Sequence, residues 1–125
     1  MTENELSKIV IGEALLVHKK LGPGLLESVY EECLGYRLVQ TGLRFEKQKP
    51  IPLVFEGIKL ECGFRCDILI EDKLIIEIKA VDGLNDIHLA QVLTYLKLSG
   101  VKLGLLMNFN VLKIKEGIKR IVNNL

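Results

Sequence analysis

The sequence predicts an α/β fold, a central mixed β-sheet flanked by helices, and three observations carry that prediction. Apolar residues recur at helical spacing from Leu6 to Val17, from Val29 to Leu38 and from Leu89 to Leu96. Between Arg44 and Ala80 the period shortens to two, with β-branched and aromatic residues alternating with charged ones. A strongly apolar run from Val101 to Asn108 then reads as a further strand. The expected order is α-α-β-β-β-α-β-α in a single domain spanning residues 1–125.

Thr2 followed by Glu5 is a capping-box pattern and opens the first helix, which carries Leu6, Ile9, Val10, Ala14 and Val17 until Gly22 and Pro23 stop it. A second helix starts within Pro23 to Leu26, carries Val29, Cys33, Leu34 and Leu38, and ends before Gly42, whose missing side chain suits a left-handed cap. From Arg44 to Ile70, Pro50 and Pro52 exclude a helix and Glu56-Gly57 marks a turn, so this stretch reads as a meander of strands. Lys73 to Ala80 forms another strand, and Asp86 to Ser99 a helix with Leu89, Val92, Leu93 and Leu96 inward. A last short helix is expected over Lys115 to Val122.

A chain of 125 residues, 49% hydrophobic and 26% charged, has the mixture of a globular protein and the length to bury one core. No apolar run approaches the roughly 20 residues that cross a bilayer, and Met1 to Lys8 is polar and helical, so a cytoplasmic protein with no membrane partner is expected. Cys33, Cys62 and Cys66 lie inside apolar patterns and read as buried small hydrophobes. Cys62 and Cys66 as a zinc pair is disfavoured, because four strand residues span roughly 13 Å. The net charge is +1, but from Lys97 onward six basic residues face one acid, against 11 basic and 15 acidic residues before it. That C-terminal face could meet phosphates, though an ordinary solvated surface is the favoured reading.

The most informative inference comes from pairing Phe64–Ile70 with Leu74–Ala80 around Glu71-Asp72-Lys73. A register in which Ile70 meets Leu74, Ile68 meets Ile76, Cys66 meets Ile78 and Phe64 meets Ala80 gives one wholly apolar face. The other face pairs Leu69 with Ile75, Asp67 with Glu77, and Arg65 with Lys79. A one-residue slip would push Asp67 among the isoleucines, where an unpaired carboxylate is costly. Two carboxylates set opposite each other are unfavourable unless a cation or proton intervenes. Hard oxygen ligands of this kind suit Mg²⁺ or Mn²⁺. A solvated ladder, with Arg65 and Lys79 neutralising the acids, accounts for the same pattern.

Asp67, then Glu77-Ile78-Lys79 one hairpin later, resembles the Asp and (D/E)-x-K signature of the PD-(D/E)XK phosphodiesterases. Gly24-Leu25-Leu26-Glu27-Ser28-Val29-Tyr30 resembles the G-x-x-E-x-x-Y motif of the GxxExxY protein family, a small bacterial and archaeal branch of that superfamily. Val17 to Gly24 and Asn108-Phe109-Asn110 also look like family sequence, so the resemblance covers nearly the whole chain. It implies a restriction-endonuclease-like core. Asp67 and Glu77 would ligate Mg²⁺ or Mn²⁺ with the carbonyl of Ile78, and Glu27 would reach the ion directly or through water. Lys79 would orient the attacking water and stabilise charge at phosphorus. Gln91 and Tyr95 match a Q-x-x-x-Y element that lines related sites, with His88 on nearly the same face. Cys66 stands where the signature has proline.

Structural explanations stand beside these roles. Glu27 in a first helical turn favours the helix dipole by about 0.3 to 1 kcal/mol. Tyr30 and Tyr95 also suit a core with satisfied hydroxyls, and His88 suits a helix surface. The reading favoured on this ground is a metal-dependent nuclease that hydrolyses DNA, with RNA the second candidate substrate. The alternative is a nuclease-fold module that binds nucleic acid or a protein and cleaves poorly. With no dense basic stripe and 6% aromatic residues, grip on substrate is the weak feature, and pairing with a second copy would supply it.

Overall fold

The computed structural model describes residues 1–61 and 64–125. Helix α1 spans Glu3–Leu21 and begins as its capping box dictates: Glu5 N donates to Thr2 Oγ1 at 3.1 Å and Thr2 N to Glu5 Oε1 at 2.9 Å. Helix α2 runs Glu27–Thr41 and ends at Gly42, left-handed at φ 76°. The meander resolves into β1 (Phe45–Pro50), β2 (Leu53–Phe55), β3 (Ile58–Leu60) and β4 (Arg65–Ile70). After them come β5 (Leu74–Lys79), α3 (Asp86–Ser99), β6 (Leu103–Asn108), a single turn α4 (Ile114–Gly117) and β7 (Ile118–Val122).

Five strands form one mixed sheet in the order β1-β4-β5-β6-β7, with β5 and β6 parallel and the other neighbours antiparallel. The β2–β3 hairpin is a separate two-stranded sheet. Helices α1 and α2 cover one face, where Leu6, Val10, Leu34 and Leu38 meet Ile68, Ile70, Ile76, Ile78 and Leu105. On the other face Tyr95 and Leu96 of α3 pack with Ile75, Cys66 and Ile51. Gly104 permits that second layer, since a Cβ there would stand 2.8 Å from Val92 Cγ1.

The helix expected over Lys115 to Val122 is a correction. Only Ile114–Gly117 is helical, and Ile118–Val122 is a strand paired with β6 from Met107↔Ile118 to Leu103↔Val122. Strand β6 is buried at every residue, so its outer N–H and C=O groups need a partner. The β-branched Ile118, Ile121 and Val122 supply one. At Gly117 a Cβ would stand 2.2 Å from the Asn108 carbonyl oxygen, so the turn into β7 closes directly on the end of β6.

The β4–β5 hairpin keeps the expected register at Ile70↔Leu74, Leu69↔Ile75 and Ile68↔Ile76, and there the ladder stops. Beyond it β4 changes face. Ile68 lies in the core beneath α1 and α2, whereas Cys66, two residues away, packs beneath α3. The expectation that Cys66 shares a face with Ile68 and Ile78 is therefore overturned, because an irregularity at Asp67 breaks the two-residue alternation. Cys62 lies outside the described residues.

Candidate metal centre

Where β4 and β5 part, two carboxylates take over the missing ladder bonds. Asp67 N donates to Glu77 Oε1 at 2.9 Å, and Ile78 N donates to Asp67 Oδ2 at 2.7 Å. Each strand's acid thus accepts the other strand's amide, which keeps buried backbone donors satisfied while the strands separate. Glu77 is only 4% exposed. Burial, and then the charge of Asp67, pushes its carboxyl up to about 8, with the Lys79 ammonium pulling the other way.

Glu27 arrives from the first turn of α2. Its Oε2 accepts a hydrogen bond from Ala80 N at 3.1 Å, which ties the helix start to the end of β5. Lys79 is half-buried at the last position of β5, and its carbonyl accepts from Phe109 N at 2.9 Å. Tyr95 is buried on α3 with its ring edge-on to Phe64, centroids 6.0 Å apart. Burial, then Glu77 and Asp67, raises its hydroxyl pKa, so Tyr95 belongs to the surroundings of the acids. Gln91 is exposed one turn earlier on α3, and among the described residues its side chain makes no hydrogen bond. His88 caps α3: it exchanges hydrogen bonds with Asn85 through its Nδ1 and its backbone N–H.

Two residues that sequence reasoning passed over also stand here. Glu31 follows Glu27 by one helical turn on α2, a spacing that puts both acids on one face. Gln48 on β1 lies across from Asp67, between the pairs Lys47↔Ile68 and Lys49↔Cys66. Its Nε2 donates to Glu31 Oε1 at 2.8 Å and to Asp67 Oδ1 at 3.2 Å. Burial, then the Asp67 charge, raises the Glu31 carboxyl pKa. Glu27, Ser28, Glu31, Gln48, Asp67 and Ile78 line a cavity of about 300 Å³. The i, i+4 repeat of glutamates was the only signal for Glu31. For Gln48 there was none.

A clasp of hydrogen bonds, rather than chemistry, accounts for the other motif residues. Tyr30 is fully buried; its hydroxyl donates to the Gly22 carbonyl at 2.6 Å and accepts from Leu25 N at 3.1 Å. Asn108 Oδ1 accepts from Val81 N and Asn110 N, while its Nδ2 donates to the Val81 carbonyl at 3.0 Å. Asn110 Oδ1 accepts from Gly24 N at 3.1 Å. The Gly22–Leu25 corner that launches Glu27 and the segment after Lys79 are thereby fastened to the end of β6. His18 Nε2 lies 2.8 Å from the Val111 carbonyl and extends the same clasp.

Cys66 keeps its proton, since burial and the nearby Glu77 push its thiol up to about 12. Among the described residues, no group of three or more His, Cys, Asp or Glu side chains converges closely enough to hold an ion. A larger groove of about 590 Å³ between α1 and α2, lined by Leu16, Leu21, Cys33 and Tyr36 among others, is apolar and away from these acids. No helix among the described residues is long and apolar enough to cross a membrane. No curated protein and no solved structure matches the chain significantly. A family model of the PD-(D/E)XK nuclease superfamily matches residues 4–121, nearly the full length, and the chain belongs to that superfamily.

Proposed function

We propose that this protein is a metal-dependent phosphodiesterase, a nuclease-like domain over residues 1–125 that hydrolyses a nucleic-acid backbone, with DNA the first candidate substrate and RNA the second. The carrying observation is the exchange between Asp67 and Glu77 at the parted strands, two hard carboxylates within one hydrogen bond of each other's backbone. Their donor chemistry fits Mg²⁺ or Mn²⁺, which are commonly held by one or two carboxylates and keep several waters. Asp67, Glu77 and the Ile78 carbonyl are the proposed ligands, with Glu27 reaching the ion directly or through water. Such an ion supplies Lewis acidity and lowers the pKa of bound water.

The chain's own residues do the rest in this reading. Lys79, whose charge is felt at Glu77, orients the attacking water and offsets charge developing at phosphorus. Tyr95 and Gln91 on α3 line the approach to the acids. The exposed Phe55 and Ile58 at the β2–β3 turn, with Lys59 beside them, offer stacking and charge to a strand of nucleic acid. The finer kinship with the GxxExxY proteins, a cytoplasmic location and pairing into a homodimer belong to the same proposal.

The experiment is incubation of labelled single-stranded, duplex and branched DNA and RNA with Mg²⁺ or Mn²⁺, beside Lys79→Ala. Cleavage by the native protein that the variant loses while still binding supports the nuclease. Binding without cleavage would support the second reading, a module that holds nucleic acid or a protein. That reading is favoured by one observation: Asp67 Oδ2, Glu77 Oε1 and Glu27 Oε2 are each already engaged by a backbone amide.

A further inference from the structure

Gln48 is the residue that the proposed nuclease chemistry leaves unexplained. Among the described residues five that are not glycine have positive φ: Glu56, Glu71 and Asp72 sit in turns and Asn124 lies next to the C-terminal residue. Only Gln48, at φ 52°, sits inside a strand. A left-handed residue within a ladder is disfavoured and persists where the surroundings hold it. What this conformation achieves is visible in the side chain. The Gln48 amide is aimed across β4 so that one nitrogen donates to both Glu31 and Asp67. The two carboxylates accept only, so the amide nitrogen rather than its oxygen faces them.

We propose that Gln48 is a positioning residue of the metal centre: an uncharged place-holder that joins Glu31 to Asp67 and competes with the cation for Asp67 Oδ1. This inference rests on the metal-centre reading given above. Two acids that share a neutral donor repel each other less than two that share none, yet more than two that share a full positive charge. The amide thus keeps Asp67 in place against the Ile78 amide while yielding to a divalent ion. Glu31 becomes part of the same set of acids, since the ion that displaces the amide relieves its repulsion from Asp67. Lys47 lies near Glu31 but is engaged with Glu32 at 2.9 Å, so Gln48 is the side chain that bridges Glu31 and Asp67.

The test is calorimetric titration of Mn²⁺ into the native protein and into Gln48→Ala, Gln48→Asn and Gln48→Lys, with thermal denaturation of each in chelator. Asparagine tolerates left-handed backbone and is too short to bridge both acids, so it keeps the test alive if the alanine variant does not fold. The place-holder predicts opposite movements: Mn²⁺ binds Gln48→Ala and Gln48→Asn about tenfold more tightly than native protein, and Gln48→Lys about tenfold more weakly. In a Glu31→Gln background the gain from Gln48→Ala falls to less than about twofold. A merely structural role would weaken binding in all three variants alongside their melting temperature, and that result overturns the inference, as does unchanged affinity in the alanine and asparagine variants. Native protein that takes up no Mn²⁺ would overturn the metal centre itself and this inference with it. Normal Mn²⁺ uptake with no tightening removes the Gln48 role alone.

Discussion

Tyr30 stacks on Phe109 with ring centroids 4.6 Å apart and planes 17° from parallel, and this contact fastens the start of α2 to the end of β6. Through the Tyr30 hydroxyl the same residue grips both sides of the Gly22–Leu25 corner, and Glu27 follows directly from that corner. The pair therefore governs how rigidly Glu27 is presented to Ala80 and the acids. Tyr30→Phe keeps the stack and removes the grip, and should cost about 1 to 2 kcal/mol in urea denaturation. Tyr30→Ala removes both and should cost about 3 to 5 kcal/mol.

Asn108 is 1% exposed and its side chain holds Val81 at both its N–H and its carbonyl. Asn108→Ala leaves the Val81 N–H without its partner, while the Val81 carbonyl keeps a longer bond from Asn110 Nδ2 at 3.4 Å, and should cost about 1 to 3 kcal/mol. The segment after Lys79 should loosen. Hydrogen exchange at Val81 and Ala80 should rise more than exchange in the α1 backbone, and equal protection in native and variant protein would contradict this role.

Glu77 makes the stability of the protein pH-dependent in a stated direction. Its folded pKa of about 8 lies above the ordinary 4.5, so between these values the folded chain holds a proton that the unfolded chain has lost. In chelator, stability is therefore greatest at the acid end of that window and falls as pH rises toward about 8. Glu77→Gln keeps an oxygen for Asp67 N and removes the titration. Its melting temperature should be flatter from pH 5 to 8 and higher than native at pH 8.

Uptake of Mn²⁺ should release protons from the same carboxyl. At pH 7 Glu77 is largely protonated, and a ligand to a hard cation must be ionised. Titrations at pH 7 in buffers of differing ionisation enthalpy should report close to one proton released per ion, falling toward zero at pH 9. Release that does not change with pH would remove Glu77 from the ligand set.

Lys79→Ala should lower the rate of phosphodiester cleavage by about 10² to 10³ while the affinity for an oligonucleotide in chelator changes less than about threefold. Equal loss of binding and cleavage would make Lys79 a substrate contact instead.

Local sequence accounts for the elements whose physics is local. Thr2 and Glu5 close their own capping box, Gly42 ends α2, and the alternation of isoleucines selects the β4–β5 register as far as Ile68↔Ile76. The same patterning put Asp67 and Glu77 on neighbouring strands near one level. Four features depended on partners distant in sequence. Strand β7 formed because the buried β6 needed a neighbour, which outweighed the helical reading of a short, weakly patterned segment. The face change between Cys66 and Ile68, the left-handed Gln48 opposite it, and the bridging of Glu31 to Asp67 arise where three elements meet. No period in the chain encodes that meeting. Hydrophobic spacing and capping are written within a few residues and so determined the layers and the hairpin by themselves. The disposition of the acids was decided by the tertiary structure, because separating two strands leaves backbone amides that only side chains from elsewhere in the fold can satisfy.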